Sequence, residues 1–302
     1  MTDYRSYLSK DTLAIFLLHG VMEKKTYKIR NYTRKHLEKD SFYKTMKALK
    51  TSGYPVSMDD VVQCHISGAA YPPNAFAVTL DDGFENNFSI AAPVLQDLGI
   101  PATFYVTTGF IQNNEMSWID RIEYCFEHTR AKSLSLPWDA SEYDISTPEN
   151  AIGVLDAIRS KVKQEEGIDI QSMISAIFKQ CGIDEIFQSD DPLDRKMTWD
   201  QIHTLHENDD FIIGGHTHTH AIMAFLNDQA LEGEIAGSLS LLKNRAGIST
   251  RHYSYPEGLS HCYSDGVIDA LQRHGIVCSP TAIEGANTIR DSLFHLKRVM
   301  VV

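Results

Sequence analysis

Two neighbouring carboxylates, Asp81 and Asp82, follow a short apolar segment and stand directly before Gly83. Residues 76–80 are apolar and β-prone, so the pattern predicts a buried strand that ends at a turn. Successive side chains of a strand point to opposite faces, so we expect the two carboxylates to have different tasks. One is suited to hold a metal ion and the other to reach a bound water. The alternative interpretation is a surface turn, because Asp and Gly are favoured there.

Histidines recur in the segment His216-Thr-His-Thr-His220, which follows two glycines and a strand predicted at residues 211–213. His216 and His220 are four residues apart, so a helical turn would place both imidazoles on one side, as in zinc-binding pairs. His218 would point elsewhere and is the weaker ligand candidate. Two imidazoles and a carboxylate leave coordination positions open for water and substrate, as a catalytic metal site requires. The glycines are expected to let the backbone pass close to the ion. The alternative is a histidine-rich loop that arose by chance.

The order of the predicted elements indicates an α/β fold with a parallel sheet. A strand at 76–80, a helix at 86–98 interrupted by Pro93 and a strand at 102–106 form a βαβ unit. Further strands are predicted at 12–18, 211–213, 252–255, 276–278 and 296–302. Helices are predicted from the N-cap Ser41 to Gly53, and at 199–207, 228–245 and 265–274. In parallel α/β folds, active sites form at the carboxyl ends of the strands, where both polar clusters and Tyr255-Pro256-Glu257 are expected to lie.

The pattern changes between about residues 117 and 197. Helices are predicted there near 120–128, 151–164 and 170–180, separated by polar loops. We interpret this segment as a mostly helical insertion in a single domain of residues 1–302, and expect it to cover the site as a lid. A second segment, residues 24–39, is basic and polar and is predicted to be an exposed loop.

Composition excludes several classes of protein. The chain has 302 residues, of which 43% are hydrophobic and 23% charged, which is typical of a globular protein with a large core. A formal charge of −12 argues against a nucleic-acid partner. Five dispersed cysteines without a C-x-x-C pair favour a reducing compartment. The apolar run at residues 13–18 is too short to span a membrane and no signal peptide is evident, so the expected location is cytoplasmic.

Three motifs of the chain resemble, in order, those of a known family. Thr79-Leu-Asp-Asp-Gly83, His216-Thr-His-Thr-His220 and Tyr253-Ser-Tyr-Pro-Glu-Gly258 are similar to the T-F-D-D-G, H-[ST]-x-x-H and F-S-Y-P-Y-G motifs of the polysaccharide deacetylase family. Its domain is also called the NodB-homology or carbohydrate esterase family 4 domain. The resemblance covers most of the chain. It implies a distorted (β/α) barrel, here of about seven parallel strands.

The resemblance also implies a role for each matched residue. Asp81 would be the general base. One divalent metal ion, usually Zn²⁺ in this family, would be bound by Asp82, His216 and His220. These residue types suit hydrolysis of an amide by a metal-activated water, with Asp81 accepting the proton of that water.

Neighbouring residues are expected to support this chemistry. The oxyanion and the substrate would be held at Tyr255, Pro256 and Glu257, in part by a backbone N–H. Thr217 is expected to fix the histidine loop by hydrogen bonding. His19, at the end of the first predicted strand, is expected either at the site or as a turn histidine.

The sequence departs from the family pattern at several positions. Ser254 stands where many members have an arginine that orients the base, Glu257 replaces a tyrosine, and Leu80 replaces an aromatic residue. The L-x-L-H motif, which carries the histidine that protonates the leaving amine, has no clear counterpart. The nearest segment is Phe294-His-Leu-Lys-Arg298. The candidates for the general acid are therefore His295, His19 and the base itself.

The expected activity is removal of an N-acetyl group from an amino sugar in a glycan or a glycan precursor, such as a nucleotide- or lipid-linked sugar. One alternative is a deformylase or another hydrolase of linear or cyclic amides on the same scaffold. Another is a degenerate barrel that binds a glycan without turnover. A mononuclear iron oxygenase uses similar ligands, but the βα alternation disfavours it. The sugar, the acyl group, the native metal and the oligomeric state do not follow from the sequence.

Overall fold

The apolar segments of the sequence form the strands of a parallel sheet. The computed structural model describes residues 3–139 and 141–302. The strands Ala14–Leu18, Ala75–Leu80 and Ala102–Val106 are buried at every position. Strands covered on both faces read as continuous apolar runs rather than as alternating ones, which is why they stand out in the sequence.

The secondary structure follows the predicted order. The strands are β1 (Ala14–Leu18), β2 (Gly20–Met22), β3 (His36–Glu38), β4 (Tyr54–Pro55), β5 (Ala75–Leu80), β6 (Ala102–Val106), β7 (Ser133–Ser135), β8 (Glu142–Asp144), β9 (Phe211–Gly215) and β10 (Val299–Met300). The helices are α1 (Lys39–Ser52), α2 (Met58–Ser67), α3 (Ala92–Asp97), α4 (Thr108–Asn113), α5 (Trp118–His128), α6 (Pro148–Gln164), α7 (Ile170–Cys181), α8 (Trp199–His206), α9 (Asp228–Ala246) and α10 (Asp265–Arg273). Two 3₁₀ turns lie at Tyr4–Tyr7 and Met223–Phe225.

The main sheet places its strands in the order β10-β1-β5-β6-β9, and β4 pairs with β5. Each of these pairs is parallel. Leu18 pairs with Leu80, and Val106 pairs with Gly215. This register brings the carboxyl ends of β1, β5, β6 and β9 to one edge of the sheet. His19, Asp81 and His216 each follow one of these ends directly, so the sheet gathers them at this edge.

The predicted strands at 252–255 and 276–278 are reduced to single bridges. Tyr253 bridges to Gly215 and Cys278 bridges to His252, both in parallel orientation. The two bridges continue the strand order past β9, but no full ladder forms there among the described residues. The parallel pairs of the main sheet confirm the predicted α/β fold with a parallel sheet.

Two predictions of local structure were wrong. Ser41 is not an N-cap, because α1 begins at Lys39 and its N-cap is Glu38. Residues 24–39 do not form an exposed loop, because His36 lies in β3 and both His36 and Arg30 are buried. The burial of Arg30 is offset by pairing, since its guanidinium contacts the Asp194 carboxylate. The helix predicted at 86–98 does form: a π-helical turn, Asn87–Ala91, continues directly into α3, whose first turn contains Pro93. Proline is tolerated there because the first turn has no intrahelical partner for its N–H.

The inserted segment contains α5, α6, α7 and the antiparallel pair β7–β8. Its apolar side chains, from Ile119 to Cys181, pack into a cluster separate from that around the sheet. The assignment of residues 1–302 to one domain with an insertion stays a prediction. No helix of the described residues is both long enough and apolar enough to cross a membrane.

Candidate metal centre and catalytic cavity

Asp81 and Asp82 lie in the turn immediately beyond β5. The N–H of Asp81 donates to the Leu18 carbonyl at 2.9 Å. Asp82 adopts the left-handed backbone region, with φ +74°. Both carboxylates line one cavity of about 390 Å³. Strand alternation does not separate them, because β5 has already ended at Leu80. They differ instead in their partners.

Asp81 is paired with Arg298. Arg298 Nη1 donates to Asp81 Oδ1 at 2.9 Å and Nη2 donates to Oδ2 at 2.8 Å. The side chains are only 1% and 4% exposed. Burial alone would raise the pKa of Asp81, but the attraction of Arg298 outweighs it and holds the pKa below the ordinary value. The Asp81 carboxylate therefore stays ionised at neutral pH.

Arg298 takes the place that the resemblance gives to an arginine at position 254. Its Nη2 donates to Ser254 Oγ at 2.9 Å, its Nη1 to Thr79 Oγ1 at 3.1 Å and its Nε to the Thr281 carbonyl at 2.6 Å. These bonds hold the guanidinium against the carboxylate. The departure at Ser254 is thus compensated by an arginine from the segment that precedes β10.

Asp82, His216 and His220 converge. Asp82 Oδ1 lies 3.3 Å from His220 Nε2 and 3.7 Å from His216 Nε2. One ligand atom from each residue lies within 4.8 Å of the others. Throughout residues 3–139 and 141–302, no group donates a hydrogen bond to this buried carboxylate oxygen. A buried anionic oxygen without a donor, facing two imidazole nitrogens, fits a divalent cation such as Zn²⁺.

Hydrogen bonding orients the first of these imidazoles. His216 Nδ1 lies 2.8 Å from the Ser254 carbonyl oxygen, which can only accept, so Nδ1 carries the proton. Its Nε2 therefore presents a lone pair toward Asp82, as a metal ligand must. Burial lowers the pKa of His216 to about 4 and keeps the ring neutral at pH 7. Burial would also lower the pKa of His220, but the adjoining Asp82 carboxylate outweighs this and raises it.

The histidine segment is not the helical turn that the four-residue spacing suggested. Thr217 and His220 have positive φ angles of 60° and 63°, which break any helix. The imidazoles of His216 and His220 nevertheless meet, with ring centroids 5.0 Å apart. His218 points away from them, and its Nδ1 lies 3.1 Å from Thr108 Oγ1.

Thr217 is held from two sides. Its N–H donates to the Tyr253 hydroxyl at 2.9 Å, and its Oγ1 donates to the His216 carbonyl at 2.7 Å. A Cβ on Gly215 would meet the Tyr253 ring at 2.4 Å. This glycine therefore admits an aromatic ring, and the expected approach of the backbone to an ion stays a prediction. The tyrosine in turn supports the strained turn at Thr217.

The segment after Tyr253 forms another wall of the cavity, which Tyr255 and Glu257 line. The Tyr255 hydroxyl donates to the Phe294 carbonyl at 3.2 Å. Glu257 Oε2 lies 2.5 Å from Lys163 Nζ. Burial would raise the pKa of Glu257, but this lysine outweighs it and lowers the pKa. Pro256 has no N–H, so a backbone donor for an oxyanion has to come from Tyr255 or Glu257.

The two candidate acids are placed differently. His19 lines the cavity together with Asp81 and Asp82. His295 does not line it; its ring is exposed, and its Nδ1 lies 3.0 Å from the Tyr263 hydroxyl. The structure thus brings His19 into the site and leaves His295 outside.

Three cations of the cavity were missed from the sequence: Lys35, Arg159 and Lys163. Lys35 lies in the segment predicted to be an exposed loop, yet its Nζ donates to Asp120 Oδ1 at 2.7 Å with only 15% of its side chain exposed. Arg159 and Lys163 belong to α6, and residues of their type on a helix normally mark a solvated face. No local pattern distinguishes them.

The geometry predicts that Asp82 is essential for binding a divalent cation. Asp82→Asn removes the anionic ligand, so the Kd for Zn²⁺ is expected to rise by at least about 100-fold, measured by equilibrium dialysis of chelator-treated protein. Asp190→Asn, at a side chain that is 96% exposed, is the matched control and should bind as the wild type does. Equal Kd values for the wild type and Asp82→Asn would refute the site.

Solved structures of similar fold cover nearly the whole chain. A deacetylase of Streptococcus pyogenes, PplD in complex with acetate, is 14% identical, with a TM-score of 0.61 over 97% of this chain and 94% of that one. IcaB from Ammonifex degensii is 16% identical, with a TM-score of 0.60 over 98% and 94%. A de-N-acetylase from Aggregatibacter actinomycetemcomitans is 15% identical, with a TM-score of 0.57 over 96% and 94%. At these identities the similarity shows a shared fold. No curated protein matches the sequence.

The sequence itself matches a family model across most of its length. The model describes polysaccharide deacetylases and covers residues 69–279, from just before β5 to the bridge at Cys278. The matched region includes Asp81, Asp82 and both converging histidines. The chain belongs to the polysaccharide deacetylase family.

Proposed function

We propose that this protein is a metal-dependent hydrolase that removes an N-acetyl group from an amino sugar. The observation that carries the proposal is the cavity in which an arginine-paired carboxylate, Asp81, adjoins the cluster of Asp82, His216 and His220. Membership of the polysaccharide deacetylase family supports deacetylation as the activity. The similarly folded de-N-acetylase and deacetylase support the same reaction class.

Asp82, His216 and His220 would hold the divalent cation. This set of ligands suits Zn²⁺ best. When bound, such an ion acidifies water and polarises a carbonyl. The remaining chemistry belongs to the chain. Asp81 Oδ2 lies 4.0 Å from His216 Nε2, so an ionised base borders the cation site. The two hydrogen bonds from Arg298 keep that base oriented and charged until it accepts the proton of the attacking water.

We assign the general acid to His19 rather than to His295. His19 shares the cavity with the base and the ligand cluster, whereas His295 lies outside it. Burial lowers the pKa of His19. The proton that Asp81 accepts from the attacking water would pass to His19 in the same cavity, and the resulting imidazolium would release it readily to the leaving amine. An N–H of Tyr255 or Glu257 would stabilise the oxyanion.

The proposal extends to the closure of the sheet and to the substrate. The strand path would close into a distorted barrel through Ser279 and Thr281, whose N–H groups donate to the Leu293 and Leu296 carbonyls.

A nucleotide- or lipid-linked substrate and a cytoplasmic location stay predictions. The degenerate-barrel alternative loses one argument, because Arg298 supplies the guanidinium that position 254 lacks.

The first test is amine release from a panel of N-acetylated amino sugars, after chelation and after re-addition of Zn²⁺. We expect release only with Zn²⁺, and a loss of at least about 100-fold in Asp81→Asn, because the base is removed while the ligand cluster stays. The panel includes a formamide and a cyclic imide, with product analysis, to separate the alternative amide hydrolases. Zn²⁺ binding without turnover of any substrate would overturn the proposal.

A paired comparison tests the general acid. His19→Gln is expected to lower kcat by about 100-fold or more, because no other cavity histidine is free of the ligand cluster among the described residues. His295→Gln makes the same substitution at an exposed ring outside the cavity and should stay within about twofold of the wild type. The reverse result would place the acid at His295. Full activity of both variants would assign the role to Asp81.

The pairing of Asp81 with Arg298 predicts that loss of the guanidinium shifts the acidic limb of the pH profile of kcat/KM. The pKa of Asp81 is lowered, so the active carboxylate is present above this pKa and is lost as pH falls through it. Arg298→Met removes the attraction and raises that pKa. The limb of kcat/KM should therefore move to higher pH by about one unit or more. Arg290→Met, at an exposed arginine, is the control. An unmoved limb in Arg298→Met would contradict the pairing.

A further inference from the structure

A second cavity adjoins the catalytic one. It measures about 430 Å³ and lies between the inserted segment and the turn that follows His220. The two cavities share four lining residues: Trp118, Lys163, His220 and Glu257. Because His220 is a candidate metal ligand, this second cavity reaches the reacting centre itself.

The walls of the second cavity carry many apolar side chains. Ile168 and Ile170 come from the insertion, and Ile222 and Phe225 come from the turn after His220. All four are half-buried and make an apolar surface open to a ligand. Phe110 extends this surface to the metal site, because its ring stacks on the His220 imidazole with centroids 6.0 Å apart and planes at 18°.

In the proposed reaction, the two cavities would hold different parts of the substrate on either side of the scissile amide. Asp81, Arg298 and His19 line the first cavity and not the second, whereas His220 lines both. The acid has to face the amide nitrogen, so the nitrogen and its sugar lie in the first cavity. The other substituent of the carbonyl carbon, the acyl chain, points away from the nitrogen. The second cavity adjoins the cation site through His220 and lacks the base and the acid, so it offers space for that chain.

We propose that the second cavity binds an acyl chain longer than acetyl, so that the protein removes medium-length N-acyl groups from an amino sugar. This inference rests on the proposed function and defines its substrate. The chemistry is unchanged: water adds to the carbonyl carbon, the C–N bond breaks, and the nitrogen takes a proton. The products are a fatty carboxylate and an amine.

The charged residues at the boundary are compatible with an apolar chain. Lys163 and Glu257 neutralise each other across 2.5 Å, so neither presents an unpaired charge to the chain that passes them. Trp118, at the same boundary, offers a half-buried ring. Arg121, which also lines the cavity, is paired with Glu185.

The test is a chain-length series on one amino sugar, with acetyl, butanoyl and hexanoyl amides. For the Zn²⁺-loaded wild type, kcat/KM is expected to rise about threefold to fivefold for each added methylene that the cavity buries. Ile222→Trp and Ile168→Trp fill the cavity from opposite walls. Each should lower the hexanoyl-to-acetyl ratio of kcat/KM by about tenfold or more. Ile66→Trp, at a 69% exposed position of α2, is the matched control and should leave the ratio unchanged.

The outcomes separate the inference from the proposed function. Amine release from none of the amides would overturn both. Release from the acetyl amide with rates that fall as the chain lengthens would overturn the acyl cavity alone. A ratio unaffected by both tryptophans, in variants whose Tm matches the wild type, would do the same. If the tryptophans instead alter the dependence on glycan length, the cavity holds a sugar and the inference is wrong.

Discussion

Two carboxylates lie buried side by side at the end of β5, and like charges removed from water destabilise a fold unless cations offset them. Asp81 is offset by the bidentate guanidinium of Arg298. Asp82 faces two imidazoles and has one oxygen without a donor. The need to offset these two charges explains the positions of two neighbouring segments. The segment before β10 has to lie near β5 to deliver Arg298, and the turn after β9 has to adopt left-handed conformations to deliver the histidines.

Local sequence patterns predicted those parts of the site that depend on local structure. Strand β6 was predicted with its observed bounds, and the position of Asp81 and Asp82 at a strand end followed from the apolar run before them. The convergence of His216 and His220 was predicted for a wrong reason, since positive φ angles at Thr217 and His220 replace the helical turn. Those angles depend on contacts such as that of Thr217 with Tyr253, which no spacing rule contains.

The remainder of the site depends on contacts between distant segments. The role of Arg298 does not follow from its segment, because nothing near it in the sequence indicates that its partner is Asp81. The basic segment around Lys35 predicts an exposed loop, because the partner of Lys35, Asp120, lies far away in the insertion. Arg159 and Lys163 resemble the solvated face of a helix until α6 is placed against the cavity. In each case the missing information was tertiary: which charge lies opposite which.

The pairing of Asp81 with Arg298 also bears on how the chain folds. The two residues are 217 positions apart, and the Tyr4 hydroxyl contacts the Val302 carbonyl across 298 positions. Contacts of such separation carry a large loop-closure entropy and form after local structure. The βαβ units and the separate cluster of the insertion can gain their packing earlier. Until the segment before β10 docks, Asp81 has no guanidinium to compensate its burial, so a dry cavity is unfavourable in any partly folded form. The base therefore becomes buried, oriented and competent only as the two ends of the described chain come together.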